Sequence, residues 1–301
     1  LVARPPRVKA HRPGCGPGAC ALVRCALPGG PERAKVRARA QTCACPPVAK
    51  HVVAGLCVDF NVVFVLLYAP LFAMKFSRVF LNRLQNQPDA RDTVVVIDVL
   101  RSFTTAAVAL NRGASAIYPV EGVSAGMVLA GSLADAVSVG AIEGGDPAPG
   151  FDFGNSPSRL LKADLAGKPV VMSTAAGVRG LQRFRQARQL FATSLVCARA
   201  TAEAIRAAGA TEVCFVITGE WVDRDGDEDI ACADYIEALL RGDQPAPDGF
   251  ARRVRDSDFG QRFAAGTWPN LPSADLELAA RVDLFEFAMQ VRSEGDRLVI
   301  R

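Results

Sequence analysis

The stretch Val94-Val95-Val96-Ile97-Asp98-Val99-Leu100-Arg101-Ser102-Phe103-Thr104-Thr105 decides the fold of this chain. A run of β-branched residues ends at Asp98, and Arg101 and three hydroxyl residues follow as a helical pattern of small residues begins. In an α/β protein the carboxyl end of a buried parallel strand opens into the ligand crevice. The stretch therefore predicts a strand and a helix, with Asp98 and Arg101 at a crevice between them. Taken alone, it fits equally well an Asp that caps the helix and an Arg on its surface.

The charge of the chain is distributed unevenly. The whole chain carries a net charge of +4, but residues 1–73 hold ten Lys or Arg and only two acidic residues, which leaves a net charge of −4 for residues 74–301. The basic balance is therefore no indication of a nucleic-acid partner. Six of the nine cysteines lie in the first 57 residues. The other three are far apart in the sequence, which favours a reducing, cytoplasmic compartment over a disulfide framework.

The first 57 residues show no helical or strand period. Their cysteines allow a zinc site, but no CxxC pair is present. The apolar stretch 52–73 is long enough to span a membrane, yet Asp59 and Asn61 would be costly inside it. The Arg and Ala bias loosely resembles a targeting peptide. Because an ordinary globular pattern begins after Met74, we interpret residues 1–73 as a disordered leader or an over-extended translation, and a membrane anchor is the less favoured alternative.

From residue 75 onward, apolar runs alternate with helical patterns. Strands are predicted at 94–98, 116–120, 169–173, 189–193, 212–217 and 297–300. Helices are predicted at 103–112, 124–138, 177–186, 197–208, 229–241 and 275–289. Residues 242–270 are predicted to be a loop-rich connection. Strands separated by helices are typical of βαβ units, so the predicted fold is α/β, with three α/β/α layers around a mainly parallel sheet and room for two subdomains.

Several kinds of chemistry are excluded by the residues that are missing. No histidine follows His51, which removes Ser-His-Asp triads and histidine-ligated metals from residues 74–301. Neither a Cys-x5-Arg phosphatase loop nor a GxGxxG motif after a strand is present, and Pro169 interrupts a Walker A loop after Gly167-Lys168. Carboxylates, hydroxyls, arginines and amide-rich loops remain. These groups are suited to a magnesium site that handles an oxyanion.

A second polar cluster runs from Glu143 to Pro157. Its glycines would let backbone N–H groups approach an anion, while Glu143 and Asp152 could ligate a hard cation. A Gly/Pro turn followed by a helix cap at Asn155 and Ser156 explains the same residues.

Two further stretches carry polar residues after predicted strands. Residues 172–180 resemble an anion-binding turn, although a plain strand-to-helix connection is equally consistent. The acidic run 223–229 does not fit a calcium-binding EF-hand, because Trp221 and Cys232 occupy positions that need carboxylates. This run is either a solvated turn that caps a helix or a second contribution to a metal site.

Together these stretches resemble the 2-phosphosulfolactate phosphatase family. The matching elements, in the family's order, are VVVIDVLRSFTT (94–105), Glu143 with GFDFGNSP (150–157), GKPVVMSTAAG (167–177), Ser194, Gly219 with Glu228-Asp229 and Cys232-Ala233, and DLFEFAM (283–289). The resemblance covers the chain from about Lys75 to its C-terminus. The chain departs from the family at Ala175-Ala176, where polar residues are usual, and at Asp234, where a glycine is usual. Polar contacts are therefore lost at the first of these positions.

The resemblance implies a Mg²⁺-dependent phosphatase. Its expected reaction converts 2-phospho-3-sulfolactate, or a similar small phosphorylated 2-hydroxy acid, into 3-sulfolactate and phosphate. The expected partner is thus a small anionic phosphate ester and not a nucleic acid. A membrane association is not expected, and a homo-oligomer is compatible with the sequence. The alternative is a non-catalytic phosphate- or sulfonate-binding protein of the same fold.

The same hypothesis assigns roles within the site. Asp98, Glu143 and Asp152 would hold Mg²⁺, and Asp98 is the first choice for a general base or nucleophile. Arg101 would clamp the substrate with both arms of its guanidinium, with Arg179 and Arg199 as lesser candidates. Neutral contacts with the substrate are assigned to Ser102, Thr104, Asn155, Ser156, Thr174 and Gly177. Glu228 or Asp229 would position water or orient Arg101.

Overall fold

The computed structural model describes residues 74–86, 91–142 and 145–301. The predicted division near residue 74 stays a prediction, because residues 1–73 lie outside this range. Within it, one sheet contains every strand, and the chain forms one compact unit instead of two subdomains. No helix in this part of the chain is long and apolar enough to cross a membrane.

The sheet has nine strands in the described residues, in the order β1-β7-β2-β6-β8-β9-β3-β5-β4. The strands are β1 (Lys75–Phe80), β2 (Thr93–Ile97), β3 (Ala116–Pro119), β4 (Val137–Gly140), β5 (Pro169–Ser173), β6 (Gln189–Thr193), β7 (Glu212–Ile217), β8 (Met289–Glu294) and β9 (Arg297–Ile300). Strands β1, β7, β2 and β6 form one parallel block, and β3, β5 and β4 form a second. The antiparallel hairpin of β8 and β9 joins the two blocks.

Nine α-helices connect and cover these strands in the described range. They are α1 (Ser102–Asn111), α2 (Val123–Ser132), α3 (Pro157–Leu160), α4 (Gly177–Arg183), α5 (Ala198–Ala207), α6 (Asp227–Arg241), α7 (Pro247–Asp256), α8 (Asp258–Ala264) and α9 (Ser273–Ala279). Short 3₁₀ turns at Leu81–Arg83 and Leu195–Cys197 complete the order.

Strand β2 shows why the fold has three layers. All five of its residues are buried, as expected of a central parallel strand with both faces covered. Val94 and Val96 belong to a core cluster with α1 and α4, whereas Val95 and Ile97 belong to a second cluster with α5 and α6. Alternate side chains thus point into two different cores, which confirms the predicted α/β/α architecture.

Helix α4 brings the second block onto the first. It follows β5, yet its Gly180 lies directly against β2: a Cβ atom placed there would come 2.6 Å from Cγ1 of Val96. Only a glycine permits this approach without a shift in the neighbouring atoms. Residues that follow β5 are therefore carried to the end of β2, five positions away in the sheet order.

The predicted elements agree with the structure where the sequence pattern is long and regular. The six predicted strands are confirmed within one residue at either end. Strands β1, β4 and β8 were not predicted. The helix predicted over 124–138 ends at Ser132, and the last residues of that range start β4.

The region after residue 241 was predicted less well. Residues 242–270 are not loop-rich, since they contain α7 and α8; these helices bury few side chains, and their mostly polar sequence hid them. Pro247 opens α7, a position that suits proline. The helix predicted over 275–289 ends at Ala279, and Met289 already belongs to β8.

The core makes a direct stability prediction. Leu181 of α4 is fully buried, so Leu181→Ala should reduce the free energy of unfolding by about 2–5 kcal/mol through lost burial and a cavity. The matched change Leu161→Ala, at a side chain that is 44% exposed, should stay within about 0.5 kcal/mol. Urea unfolding of both variants measures this, and equal losses would contradict the packing described.

Candidate active site

A cavity of about 550 Å³ opens where three strands end. Asp98, Thr174 and Thr218 line it, and each directly follows the last residue of β2, β5 or β7. This is the edge at which α/β sheets place their ligands. The predicted crevice after Asp98 and the 172–174 strand end is therefore present.

Asp98 is held rigidly at the base of this cavity. Its Oδ1 accepts a hydrogen bond of 2.8 Å from the Ser102 backbone N–H, and its Oδ2 accepts one of 2.7 Å from the Ser102 hydroxyl. The Gly177 backbone N–H donates to it as well. Burial raises the pKa of Asp98, and these hydrogen bonds work against that rise.

Gly177 and Thr174 fix the contact between the ends of β2 and β5. A Cβ atom at Gly177 would lie 2.8 Å from Oδ2 of Asp98, so this position requires glycine for its close approach. The Ser102 hydroxyl lies 3.0 Å from Oγ1 of Thr174. Four of the predicted site residues are thus brought together.

Arg101 also lines the cavity, but much of its guanidinium is already engaged. Nη1 donates to Oδ2 of Asp275 and to the backbone oxygen of Asn270, both at 2.8 Å. Both side chains of the Arg101–Asp275 ion pair are buried. The guanidinium carbon lies 5.3 Å from the centre of the Phe263 ring. Its predicted role as a substrate clamp stays a prediction.

Asp275 is a residue that the sequence analysis missed. Besides Arg101, it binds the start of α3: its Oδ1 accepts bonds of 2.9 Å from the Ser156 hydroxyl and from the Ser158 backbone N–H. Ser156, predicted to contact the substrate, therefore uses its hydroxyl within the protein. Asp275 lies in the first turn of α9, where an acidic residue is common, so its sequence context gives no signal of this role.

Asp229 and Glu228 open α6 in different environments. Asp229 accepts backbone hydrogen bonds from Val99, Thr218 and Gly219 at 2.8–3.0 Å, which joins the ends of β2 and β7 to the helix. Neither carboxylate oxygen of Glu228 has a hydrogen-bond partner of normal geometry among the described residues, and burial raises its pKa to about 7. Neither residue hydrogen-bonds Arg101, and Asp229 has a scaffold role.

The remaining predicted residues are spread more widely. Asn155 lines the cavity, and its buried Oδ1 has no partner in the described part of the chain. The Thr104 hydroxyl donates to the Val99 backbone oxygen at 2.7 Å, away from the cavity. Asp152 is exposed and accepts bonds from the backbone and the hydroxyl of Ser138, so the structure does not bring it to Asp98. Glu143 lies outside the described residues.

The cavity wall is locally positive. Arg101, Arg179, Arg224 and Arg262 line it, against the carboxylates of Asp98 and Asp223. Arg199 is not among the described lining residues; its Nε binds Asp283 at 3.0 Å. Residues 74–301 carry a net charge of −4, so this concentration of arginines is a property of the cavity and not of the domain. Arg224 and Arg262 were not predicted as site residues.

No group of three or more His, Cys, Asp or Glu side chains converges on a metal position within the described residues. Cys197, Cys214 and Cys232 are free and buried, and burial raises the pKa of each thiol. Of the two carboxylates among the described lining residues, Asp98 is buried, whereas the side chain of Asp223 is 57% exposed.

Comparison with known proteins decides the family. The sequence profile described as 2-phosphosulpholactate phosphatase matches residues 80–293. The chain belongs to this family. The resemblance inferred from the motifs is thereby confirmed.

Relatives in this family are 28–41% identical to the chain over the residues that align. The probable 2-phosphosulfolactate phosphatase of Bacillus subtilis is 29% identical over 206 residues, which cover 68% of this chain and 89% of that protein. The protein of the same description from Thermus thermophilus is 36% identical over 174 residues, which cover 58% of this chain and 68% of that protein. The protein of the same description from Carboxydothermus hydrogenoformans is 41% identical over 122 residues, which cover 40% of this chain and 49% of that protein.

The buried ion pair of this family member gives the second prediction. Asp275→Asn removes the charge that compensates Arg101, and breaking a buried pair on one side costs about 3–5 kcal/mol of unfolding free energy. Asp164→Asn, in an exposed pair with Lys168, should cause no measurable change. Urea denaturation compares the two variants. Indistinguishable midpoints would show that the Arg101–Asp275 pair does not hold the site together.

Proposed function

We propose that this protein hydrolyses 2-phosphosulfolactate to sulfolactate and phosphate in the cavity at Asp98, with Mg²⁺ as cofactor. Membership of the family makes the chain a phosphoric monoester hydrolase. The observation that supports this substrate class most directly is the wall of four arginines around a buried carboxylate. A substrate with phosphate, carboxylate and sulfonate groups needs such a wall, because the rest of the domain is acidic.

The donor set at Asp98 fits Mg²⁺. This ion binds through oxygen, takes one or two carboxylates, and keeps several waters or substrate oxygens. Asp98 offers a buried carboxylate at the cavity, and its three described hydrogen bonds leave acceptor capacity on its two oxygens. The Thr174 hydroxyl is a further oxygen beside it. Asp98 would hold the ion, with Glu143 as the second carboxylate of the hypothesis.

When bound, Mg²⁺ would neutralise phosphoryl oxygens and stabilise the charge of the transition state. The chain's own residues supply the rest. Ser102 and Gly177 fix the Asp98 carboxylate, and positioning of this kind is a large part of catalysis in phosphoryl transfer. Because no histidine follows His51 and the described thiols are buried, Asp98 acts as the base or nucleophile. Hydrolysis breaks the ester P–O bond and forms a P–O bond to the oxygen of water, and a proton from that water passes to the departing oxygen, which becomes the hydroxyl of sulfolactate.

A substrate comparison tests the reaction. The protein is given 2-phosphosulfolactate and other small phosphorylated 2-hydroxy acids, with Mg²⁺ or with EDTA, and released phosphate is measured. Release from 2-phosphosulfolactate should be fastest and should stop with EDTA. Binding of these esters without any phosphate release would favour the alternative, a non-catalytic binding protein. Undiminished phosphate release in EDTA would refute only the role of Mg²⁺ and not the hydrolysis itself.

The central carboxylate provides a sharper test. Asp98→Asn keeps the size but removes the charge, so turnover should fall by at least about 10³-fold, as for other groups that act as base or nucleophile. Circular dichroism should show the fold unchanged. Asp164→Asn is the control for a lost carboxylate and should keep full activity. Retention of near wild-type activity by Asp98→Asn would make this site assignment wrong.

A further inference from the structure

Two cavity arginines share one aromatic support. The guanidinium carbon of Arg224 lies 4.5 Å from the centre of the Phe259 ring, and that of Arg262 lies 6.0 Å from the same centre. An arginine over a ring face is attracted to the ring, while the N–H groups at its edge stay available for hydrogen bonds. Phe259 itself lines the cavity, so this support belongs to its wall.

The four arginines differ in how far the protein already occupies them. Arg101 is engaged by Asp275 and Asn270. Arg179 donates to Oδ1 of Asn82 at 2.5 Å, and Nη2 of Arg262 donates to the backbone and side-chain oxygens of Asp223 at 2.8 Å.

Arg224 has no such partner. The contact that comes nearest to an ion pair joins its Nε to Oδ1 of Asp223 at 4.0 Å, beyond hydrogen-bond distance. Among the described residues, nothing accepts a hydrogen bond from its guanidinium. The side chain is nevertheless only 23% exposed. The five donors of this guanidinium have no acceptor in the described part of the protein, so they are available to an anion bound in the cavity.

The charge of Arg224 also acts on the reactive carboxylate. Burial is the main influence on Asp98 and raises its pKa, whereas Arg224 is a nearby positive charge that lowers it. At Glu228, too, burial raises the pKa and the charge of Arg224 lowers it. Arg224 and Asp98 line the same cavity, so an anion bound there can meet both residues.

We propose that Arg224, supported by Phe259, contacts the phosphoryl oxygens of the substrate, and that Arg101 is a positioning residue held by Asp275. The assignment rests on the proposed function for the identity of the ester. It differs from the sequence hypothesis, which gave the clamp to Arg101. A planar guanidinium can meet two phosphoryl oxygens at once with two parallel hydrogen bonds.

Binding of inorganic phosphate to the full chain, measured by calorimetry with and without Mg²⁺, tests the assignment independently of turnover. Arg224→Met should weaken phosphate binding about 10- to 100-fold, as expected for a lost charge-assisted contact. Arg224→Lys should recover part of the affinity, because a point charge remains without the fork. Phe259→Leu keeps the arginine but removes its support, and should weaken binding about two- to fivefold.

Two controls make the result specific. Arg241→Met removes another arginine that stacks on a phenylalanine, 4.7 Å from the Phe76 ring, outside the described cavity wall, and should leave phosphate binding unchanged. Methanesulfonate replaces phosphate as probe in a parallel titration, and Arg224→Met should not alter its binding. If Arg224→Met lost methanesulfonate binding but kept phosphate binding, the phosphoryl assignment would be overturned.

The remaining outcomes separate this inference from the proposed function. Phosphate affinity of Arg224→Met within twofold of the wild type overturns the inference, and so does a wild type that binds no phosphate at millimolar concentration. If the wild type binds phosphate through Arg224 but does not hydrolyse 2-phosphosulfolactate, the proposed substrate fails and the anion site stands. Should Arg224→Met unfold, Phe259→Leu carries the test.

Discussion

The buried ion pair between Arg101 and Asp275 is the interaction on which the site depends. It joins the loop after β2 to α9, and through Ser156 and Ser158 it also holds the start of α3. Charges taken out of water are tolerated only when they are paired and hydrogen-bonded. The three segments are therefore held in the single arrangement in which the buried Arg101 keeps its partner. The cavity therefore has a rigid wall on this side, whereas Arg224 offers donors that the protein leaves open.

Sequence patterns were sufficient for the centre of the fold. Strand β2 has an unbroken β-branched run because both its faces are covered, and such runs are visible without any knowledge of partners. Strand β4 has only four residues and comes soon after a helical segment in the sequence, so it shows no recognisable strand period of its own. Helices α7 and α8 are largely polar and owe their stability to the few side chains that they bury, such as Val254 and Phe263. Tertiary packing, and not local preference, decides such elements.

The site was predictable to the extent that its residues follow strand ends. Asp98, Ser102, Thr174 and Gly177 lie at the ends of two strands, and the rule that these ends meet at a crevice was enough to place them together. Asp275 could not be found in this way, since it lies 174 residues from Arg101 and its local context is that of an ordinary helix start. Arg224 was hidden for another reason: it stands within an acidic run, and only the position of Phe259 shows that it faces the cavity.

The hairpin of β8 and β9 has a consequence for how the chain is made. These strands lie in the middle of the sheet, although they follow all the other described strands along the chain. Until residues 289–300 have left the ribosome, β6 and β3 each present an unpaired edge, and such edges pair readily with other chains. The nascent protein thus passes through a stage with two separate half-sheets exposed to aggregation and to chaperones. Damage to this hairpin would reduce the yield of folded protein even if the catalytic residues were intact.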